Sequence, residues 1–271
     1  SDGASLYSTT DLATLVMLMK DNNPDRVIYL ADARQSMHFI QVFRCARKTG
    51  IVPDTTELVH IGFGTMNGKD GKPFKTRDGG VMRLEYLLKE IDDEMLNKIK
   101  ENQKEKENLN IDEAEAEQTA KTVALAAVKY GDLSNQASKD YIFDIDRFTS
   151  FEGNTGPYIL YTIVRIKSIL SKYEAKGGDI SALKDAIMPA VNAGQKNLML
   201  SLAKFNATIE SAYEESAPHK ICAYIYELAN AFNGFYHDTK ILSEENEELK
   251  KSYISLLVLT KEILEACIDM L

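Results

Sequence analysis

The chain has 271 residues, of which 44% are hydrophobic and 27% are charged, and its formal net charge at pH 7 is -9. This composition indicates a globular protein of one or two domains and excludes the disordered and fibrous classes. No apolar run approaches the roughly 20 residues of a membrane-spanning helix, no secretory signal is recognisable, and the acidic total argues against indiscriminate binding of polyanions.

Cysteine and histidine residues are few and scattered along the chain. Cys45, Cys222 and Cys267 form neither a disulfide framework nor a metal-binding spacing. The four histidines lie too far apart in sequence for a compact zinc signature. We therefore expect a reducing, cytoplasmic location, no membrane association and no metal site held by the protein itself.

The first 66 residues alternate between helical and strand patterns. Asp11 is predicted to cap a helix that runs to Lys20. A β-prone run at 27–31 precedes a helix over 38–48, and a second candidate strand follows at 58–63. Strand–helix–strand with short links is typical of a parallel α/β unit. Two strands are too few for a complete doubly wound sheet, so this portion is predicted to be incomplete.

A cationic, glycine-rich segment follows, KDGKPFKTRDGG at residues 69–80. Bare backbone amides and cationic side chains can surround a phosphate. The spacing is not that of a Walker A loop, and a polar turn is an equally good interpretation of the segment taken alone. Its position after a strand and before a helix is where α/β sheets bind ligands.

From about residue 81 the pattern becomes helical. Residues 82–130 read as helices, and we interpret the charged run over 98–117 as solvated helix and loop. Further helices follow from about residue 150. The last of them carries an amphipathic stripe that predicts core packing, formed by Leu256, Leu259, Ile263, Cys267 and Met270.

Four segments in the same order resemble arginyl-tRNA synthetases, a family of class I aminoacyl-tRNA synthetases. They are HIGFGTMNGKDGKPFKTRDGG at 60–80, AVKYGDLS at 127–134, DYIFDIDRFTSFEGNTGPY at 140–158 and CAYIYELANAFNGFY at 222–236. Many members of the family carry GKxFKTRxGG where other class I synthetases carry KMSKS. The resemblance spans nearly the whole chain.

One class I motif is missing. His60-Ile61-Gly62 looks like the start of the HIGH motif, but Phe63 follows it and the family places HIGH earlier. The family's amino-terminal tRNA-contacting domain is also not recognisable. We therefore expect the chain to be a carboxy-terminal fragment of a synthetase.

The resemblance implies an architecture of three parts. Residues 1–80 are expected to form the second half of the catalytic domain, a partial Rossmann-type α/β nucleotide-binding fold that includes the KMSKS-like loop. Residues 81–149 are expected to form a helical connection. Residues 150–271 are expected to form an all-α anticodon-binding helical bundle of the DALR type.

The resemblance also implies an arginine pocket. Tyr7 and Asp11 match the family's Tyr-x-x-x-Asp pattern, and Gln35 matches its glutamine. By this resemblance Asp11 pairs with the guanidinium of L-arginine, and Tyr7 and Gln35 form hydrogen bonds around it. Without the family, a plain helix cap would be the favoured interpretation of Asp11.

Residues around ATP are implied in the same way. His38 and Gln41 lie on a helical turn that the family places beside ATP, although an ordinary polar helix face is the alternative. Further residues are expected to line the adenine side, namely His60, Gly62 and Phe63.

The loop cations Lys72, Lys75 and Arg77 are expected to stabilise the pyrophosphate leaving group. Lys75 is the preferred counterpart of the second lysine of KMSKS. Mg²⁺ is expected to accompany ATP without a dedicated protein site.

An anticodon contact is implied by Tyr158, Tyr161 and Arg165, which share one helical face. Aromatic side chains stack on unpaired bases of single-stranded RNA loops. The alternative is that the two tyrosines are half-buried in the bundle. Every arginine codon has guanine in the middle, so a pocket for the matching cytosine would serve all tRNA(Arg) species.

The sequence therefore predicts part of an arginine–tRNA ligase that uses ATP, L-arginine and tRNA(Arg), and we expect it to be a monomer. On its own the fragment is expected to be inactive. A non-catalytic tRNA-binding module is the alternative, and a helical scaffold for protein partners ranks third.

Overall fold

The structure is a computed structural model that describes residues 3–73, 83–105, 112–183 and 186–271. Two compact units form the chain. The first comprises Ser1–Pro73 and Ala137–Ile142, and the second comprises Phe74–Gln136 and Phe143–Leu271. None of the described helices is both long and apolar enough to span a bilayer.

The described part of the chain is mainly helical. Its helices are α1 Tyr7–Asp21, α2 Ser36–Lys48, α3 Leu84–Glu105, α4 Glu113–Leu133, α5 Ile145–Phe148, α6 Gly156–Glu174, α7 Ala193–Ala203, α8 Phe205–Glu214, α9 Pro218–Asp238 and α10 Glu247–Met270. Its strands are β1 Arg26–Asp32, β2 Glu57–Phe63, β3 Met66–Asn67 and β4 Tyr141–Ile142.

The first unit is built on a parallel pair of strands. β1 and β2 run parallel from Arg26 opposite Glu57 to Asp32 opposite Phe63. Helix α2 connects them, and a small apolar core gathers residues of α1, β1, α2 and the turn after α2, namely Leu15, Val27, Val42, Ala46 and Val52. The predicted strand–helix–strand unit is confirmed.

The predicted cap at Asp11 is wrong, because α1 begins earlier. The helix starts at Tyr7, so Asp11 lies one turn inside it. Two threonines stabilise the first turn: the Thr9 hydroxyl accepts the Leu6 N–H at 3.3 Å, and the Thr10 hydroxyl donates to the Tyr7 carbonyl at 2.7 Å. The polar run before Asp11 is therefore helical, and the Asp11 carboxylate is available for other contacts.

A strap from far along the chain completes the first unit. The Gly64 N–H donates to the Ala137 carbonyl at 2.8 Å, and the Thr65 N–H donates to the Asp140 carboxylate at 2.6 Å. β3 and β4 then pair in parallel. A Cβ on Gly64 would lie 2.5 Å from the Lys139 backbone, so only glycine permits this approach.

The second unit is a helical bundle whose main core lies between α4, α6, α7, α9 and α10. Helix α6 begins where the Thr155 hydroxyl accepts the Tyr158 N–H at 3.2 Å, with Pro157 in the first turn. Gly156 faces α4 so closely that a Cβ there would lie 2.3 Å from the Ala126 carbonyl oxygen. The crossing of α4 and α6 therefore depends on glycine.

The predicted stripe of α10 is confirmed in part. Leu256 and Cys267 are buried, and Leu259 and Ile263 pack partly buried against the core. Met270 is 51% exposed, so its prediction is wrong. Helix α10 contacts α6, α7 and α9, and its buried face is therefore wider than a stripe of three- and four-residue steps.

Candidate active-site cluster and candidate RNA-binding face

In the first unit, α1 and α2 bring three predicted site residues together. The Asp11 carboxylate Oδ2 lies 2.6 Å from His38 Nε2, and both side chains are largely shielded from solvent. The rings of Tyr7 and His38 are 5.0 Å apart. Because Tyr7 and Asp11 are one turn apart on α1, they present a ring and a carboxylate to the same imidazole. A carboxylate beside two aromatic rings is chemically suited to a planar cation.

His60 joins this cluster through the buried ring of Phe39. The His60 ring stacks on Phe39 at 4.6 Å, and Phe39 in turn lies 5.2 Å from the His38 ring. His60 Nε2 is buried and has no hydrogen-bond partner among the described residues. A buried ring nitrogen without a partner is a candidate for contact with a ligand.

Tyr29 belongs to the same neighbourhood, although we did not predict it as a site residue. Its ring lies 5.0 Å from Phe39, and its buried hydroxyl has no hydrogen-bond partner within the described part of the chain. Burial raises the pKa of Tyr29, and the negative charge of Asp11 raises it further. Its place opposite His60 is visible only in the strand register of the structure.

Gln35 and Gly62 lie on elements that adjoin those of the cluster. Gln35 ends a short 3₁₀ turn, Ala33–Gln35, which Asp32 caps by accepting the Arg34 N–H at 2.8 Å. A Cβ on Gly62 would lie 2.8 Å from the Ala33 Cα. Gly62 therefore allows this turn to pack against β2, so packing alone explains why glycine occupies this position.

The other predicted residues around ATP lie at the surface or outside the described residues. Gln41, Phe63 and Lys72 are exposed. Lys72 lies in a tight turn in which its own N–H donates to the Asp70 carboxylate at 3.1 Å. Lys75 and Arg77 lie outside the described residues.

In the second unit, the structure places Tyr158 half-buried between α6 and α9. Its hydroxyl donates to Asn230 Oδ1 at 2.7 Å and accepts from Asn233 Nδ2 at 2.8 Å. Its ring meets the Tyr226 ring edge-on, with centroids 5.8 Å apart. Tyr158 is thus tied to α9 through both its ring and its hydroxyl.

Arg165 lies between two exposed tyrosine rings. Its guanidinium carbon is 4.8 Å from the centroid of Tyr161 and 5.6 Å from that of Tyr236, and these tyrosines are 47% and 42% exposed. Arg165 Nη1 donates to Asn233 Oδ1 at 2.7 Å. We did not predict Tyr236 as a site residue, although it lies in a quoted segment. We call Tyr161, Arg165 and Tyr236 the α6–α9 face.

Arg165 forms no ion pair with an acidic residue in the part of the chain that the structure describes. Its side-chain partner Asn233 is uncharged, and within the described residues no carboxylate lies within 4.0 Å of the guanidinium. Two positions along α6, by contrast, Lys167 pairs with Glu265 at 2.7 Å. A cation between two exposed aromatic rings is suited to bases and phosphates of single-stranded RNA.

Comparisons with known families match both units. Residues 1–145 match the family described as tRNA synthetases class I (R), catalytic domain, and residues 159–271 match the DALR anticodon binding domain. Together these matches define a class I aminoacyl-tRNA synthetase with a helical anticodon-binding domain. The chain belongs to the arginyl-tRNA synthetase family.

Individual relatives agree with this assignment. The chain is 99% identical over its full length to an arginine–tRNA ligase of Agathobacter rectalis and 55% identical to one of Alkaliphilus oremlandii, and it covers 45% of each. The arginyl-tRNA synthetase structure from Plasmodium falciparum matches all of the chain over 44% of its own length, with 27% identity and a TM-score of 0.81. The Thermus thermophilus enzyme shares the fold at 22% identity, with a TM-score of 0.80 over all of the chain and 48% of that enzyme. The chain thus spans about 45% of the length of the curated relatives.

Proposed function

We propose that this chain is part of an arginine–tRNA ligase. It supplies the second half of the catalytic domain (1–80), a helical connection (81–149) and the anticodon-binding domain (150–271). The observation that carries the proposal is the α6–α9 face, an unneutralised guanidinium between exposed tyrosines, inside the stretch that matches an anticodon-binding family. Agreement between the chemistry of a site and the family of its domain supports the function more strongly than the fold alone.

In the proposed arginine pocket, Asp11 binds the guanidinium of L-arginine, and Tyr7 and Gln35 lie around it. In the free chain Asp11 is paired with His38 at 2.6 Å. The substrate guanidinium replaces the imidazole as partner and can use both carboxylate oxygens. Lysine carries a point charge that cannot form this planar pair, so the carboxylate contributes to specificity.

The proposed reaction has two steps. A carboxylate oxygen of arginine attacks the α-phosphorus of ATP, the bond to the β-phosphate breaks, and pyrophosphate leaves. A ribose hydroxyl at the tRNA terminus then attacks the arginyl carbonyl carbon, and AMP leaves. No covalent enzyme intermediate is needed, because positioning and charge stabilisation supply the catalysis.

We assign the remaining candidate residues to ATP. His38, Gln41, His60, Gly62 and Phe63 are proposed to line the nucleotide. The loop cations are proposed to stabilise the departing pyrophosphate, and these are Lys72, Lys75 and Arg77. Mg²⁺ would accompany ATP and would neutralise part of the phosphate charge.

Taken alone, the chain is proposed to bind tRNA(Arg) without catalysing either step, as a monomer in the cytoplasm. The free cysteines fit a reducing compartment. The alternative function, a non-catalytic tRNA-binding module, shares the same face and differs only in the activity of the whole protein.

The binding experiment compares an arginine tRNA transcript with one whose middle anticodon base is changed, at a stated salt concentration because phosphate contacts are screened. We expect the changed base to weaken binding of this chain about tenfold or more. Tyr161→Ala and Arg165→Ala should remove that difference. Equal weak binding of both transcripts by the unsubstituted chain would contradict the proposal.

The arginine pocket is tested in the whole protein by arginine-dependent exchange of pyrophosphate into ATP. Asp11→Asn should raise the KM for arginine about a hundredfold, because a charged partner of the guanidinium is lost. Asp21→Asn, at the exposed end of α1, is the matched control and should leave the KM unchanged. An unchanged KM in the Asp11 variant would place the arginine elsewhere.

A further inference from the structure

The hydrogen bonds behind the α6–α9 face form one directed chain. Arg165 donates to Asn233 Oδ1 at 2.7 Å, Asn233 Nδ2 donates to the Tyr158 hydroxyl at 2.8 Å, and that hydroxyl donates to Asn230 Oδ1 at 2.7 Å. A guanidinium can only donate, so the oxygen of Asn233 must face Arg165 and its nitrogen must face Tyr158. Within this series of bonds, Asn233 is the residue that bonds to both Arg165 and Tyr158.

This arrangement decides what each side chain can still offer to RNA. The Tyr158 hydroxyl donates its only proton to Asn230, so it cannot also donate a hydrogen bond to a base. Arg165 has used one N–H on Asn233 and keeps its other N–H groups. The donors of the face are therefore those of a guanidinium whose plane is held by Asn233 on one edge and by two tyrosine rings.

A fixed guanidinium discriminates between the two pyrimidines. The Watson–Crick edge of cytosine presents adjacent acceptors, O2 and N3, which parallel N–H donors can meet together. Uracil replaces the N3 acceptor with an N–H donor, which would face another donor. A guanidinium free to rotate could avoid this conflict by using O2 alone, so the discrimination depends on its being held.

We propose that Asn233 is the positioning residue of the α6–α9 face and that, by fixing Arg165, it makes this face prefer cytosine over uracil. The inference rests on the proposed anticodon function, in which a middle cytosine is already expected, and adds to it the residue that fixes Arg165. Asn233 itself lies half-buried behind the face and acts through Arg165.

The test measures the dissociation constants of this chain for two tRNA transcripts that differ only by cytosine or uracil at the middle anticodon position. We expect the unsubstituted chain to prefer cytosine roughly tenfold or more. Asn233→Leu, similar in size but unable to accept from Arg165, should reduce the preference to about twofold or less. Asn233→Ala serves where leucine disturbs packing.

Two further variants separate positioning from general stability. Asn233→Asp keeps an acceptor for Arg165 but adds a negative charge, so it should bind both transcripts more weakly and keep the cytosine preference. Asn230→Ala removes the acceptor of Tyr158 and leaves the Arg165 bond in place, so it should keep the preference. If Asn233 only stabilised the bundle, the aspartate and leucine variants would not differ in their preference for cytosine.

The outcomes are distinguishable. If the unsubstituted chain shows no preference for any middle base, the proposed anticodon function fails and this inference fails with it. If that chain prefers cytosine but Asn233→Leu keeps the preference, or Asn230→Ala loses it equally, the inference alone is overturned. Thermal unfolding of each variant checks that the bundle remains folded.

Discussion

Tyr130 shows how one hydroxyl can join three parts of the bundle. It lies on α4 and is buried, and its hydroxyl is 2.6 Å from Asn154 Oδ1, just before α6, and 2.8 Å from the Cys222 carbonyl on α9. Burial is the main reason that its pKa is raised, so the group stays a neutral donor. The bond therefore holds at all ordinary pH values.

Tyr130→Phe should lower the free energy of unfolding by about 1–2 kcal/mol, because the two oxygens that share its single hydroxyl proton lose that donor without a change in ring packing. Urea denaturation measures the difference. Tyr86→Phe, at a tyrosine that is 55% exposed, is the control and should change stability by less than about 0.5 kcal/mol. Equal effects of the two substitutions would contradict the role given to the Tyr130 hydroxyl.

The three cysteines should differ in reactivity. Burial raises the pKa of Cys222 to about 12 and that of Cys267 to about 11, so at pH 8 almost no thiolate forms at either. Cys45 is exposed. Iodoacetamide at pH 8 should therefore modify Cys45 first in the folded chain and all three cysteines in denaturant, as read by mass spectrometry. Native alkylation of Cys222 at the rate of Cys45 would show that the bundle opens.

At this scale the sequence offered individual candidate residues but did not predict the side chains that surround them. Asp11 was expected as a helix cap from local propensity, but the threonines before it extend the helix, and only the fold shows its partner His38. We did not predict Tyr236 as a site residue, because Tyr236 and Arg165 lie on different helices. Their proximity depends on how α6 packs against α9, which local spacing does not encode.

Alanine substitutions at two glycines of the bundle are expected to change its stability in opposite directions. Gly156 lies where α6 meets α4, and a Cβ there would be 2.3 Å from the Ala126 carbonyl oxygen. Gly234 lies exposed on α9, and a Cβ there would meet no described atom within 4 Å. The first glycine is required by close approach, and the second only adds backbone freedom to the unfolded chain.

Gly156→Ala should therefore destabilise the bundle by about 2–3 kcal/mol through overpacking. Gly234→Ala should stabilise it by about 0.5–1 kcal/mol, since alanine favours helix. Urea denaturation measures the free energy of unfolding of both variants, so each variant is the control of the other. A stable Gly156 variant would mean that α4 and α6 can separate without loss.

Elements were predictable where contacts are local in sequence. The parallel unit of β1, α2 and β2 follows from alternation and helical periodicity within about 40 residues. The strap of 137–142 was not predictable in this way, because β4 has two residues and pairs with β3 across a long separation in sequence. A strand this short carries no periodic signal of its own.

For the whole molecule, the proposed RNA partner has to be compatible with an acidic chain. The net charge is -9, so we expect RNA to bind at places where cations lack acidic partners. The α6–α9 face meets this condition through Arg165. Binding should consequently weaken as salt rises, but with a shallow dependence that reflects few phosphate contacts.

The central claim is that this chain binds tRNA(Arg) through the α6–α9 face, and hydroxyl-radical footprinting of exposed tyrosines tests it most directly. Tyr161 and Tyr236 are 47% and 42% exposed, while Tyr86 and Tyr213, at 55% and 71%, lie elsewhere in sequence and serve as internal controls. We expect the arginine tRNA transcript to protect Tyr161 and Tyr236 and to leave Tyr86 and Tyr213 as reactive as before. Unchanged oxidation of Tyr161 and Tyr236 at a tRNA concentration that saturates binding would contradict the account.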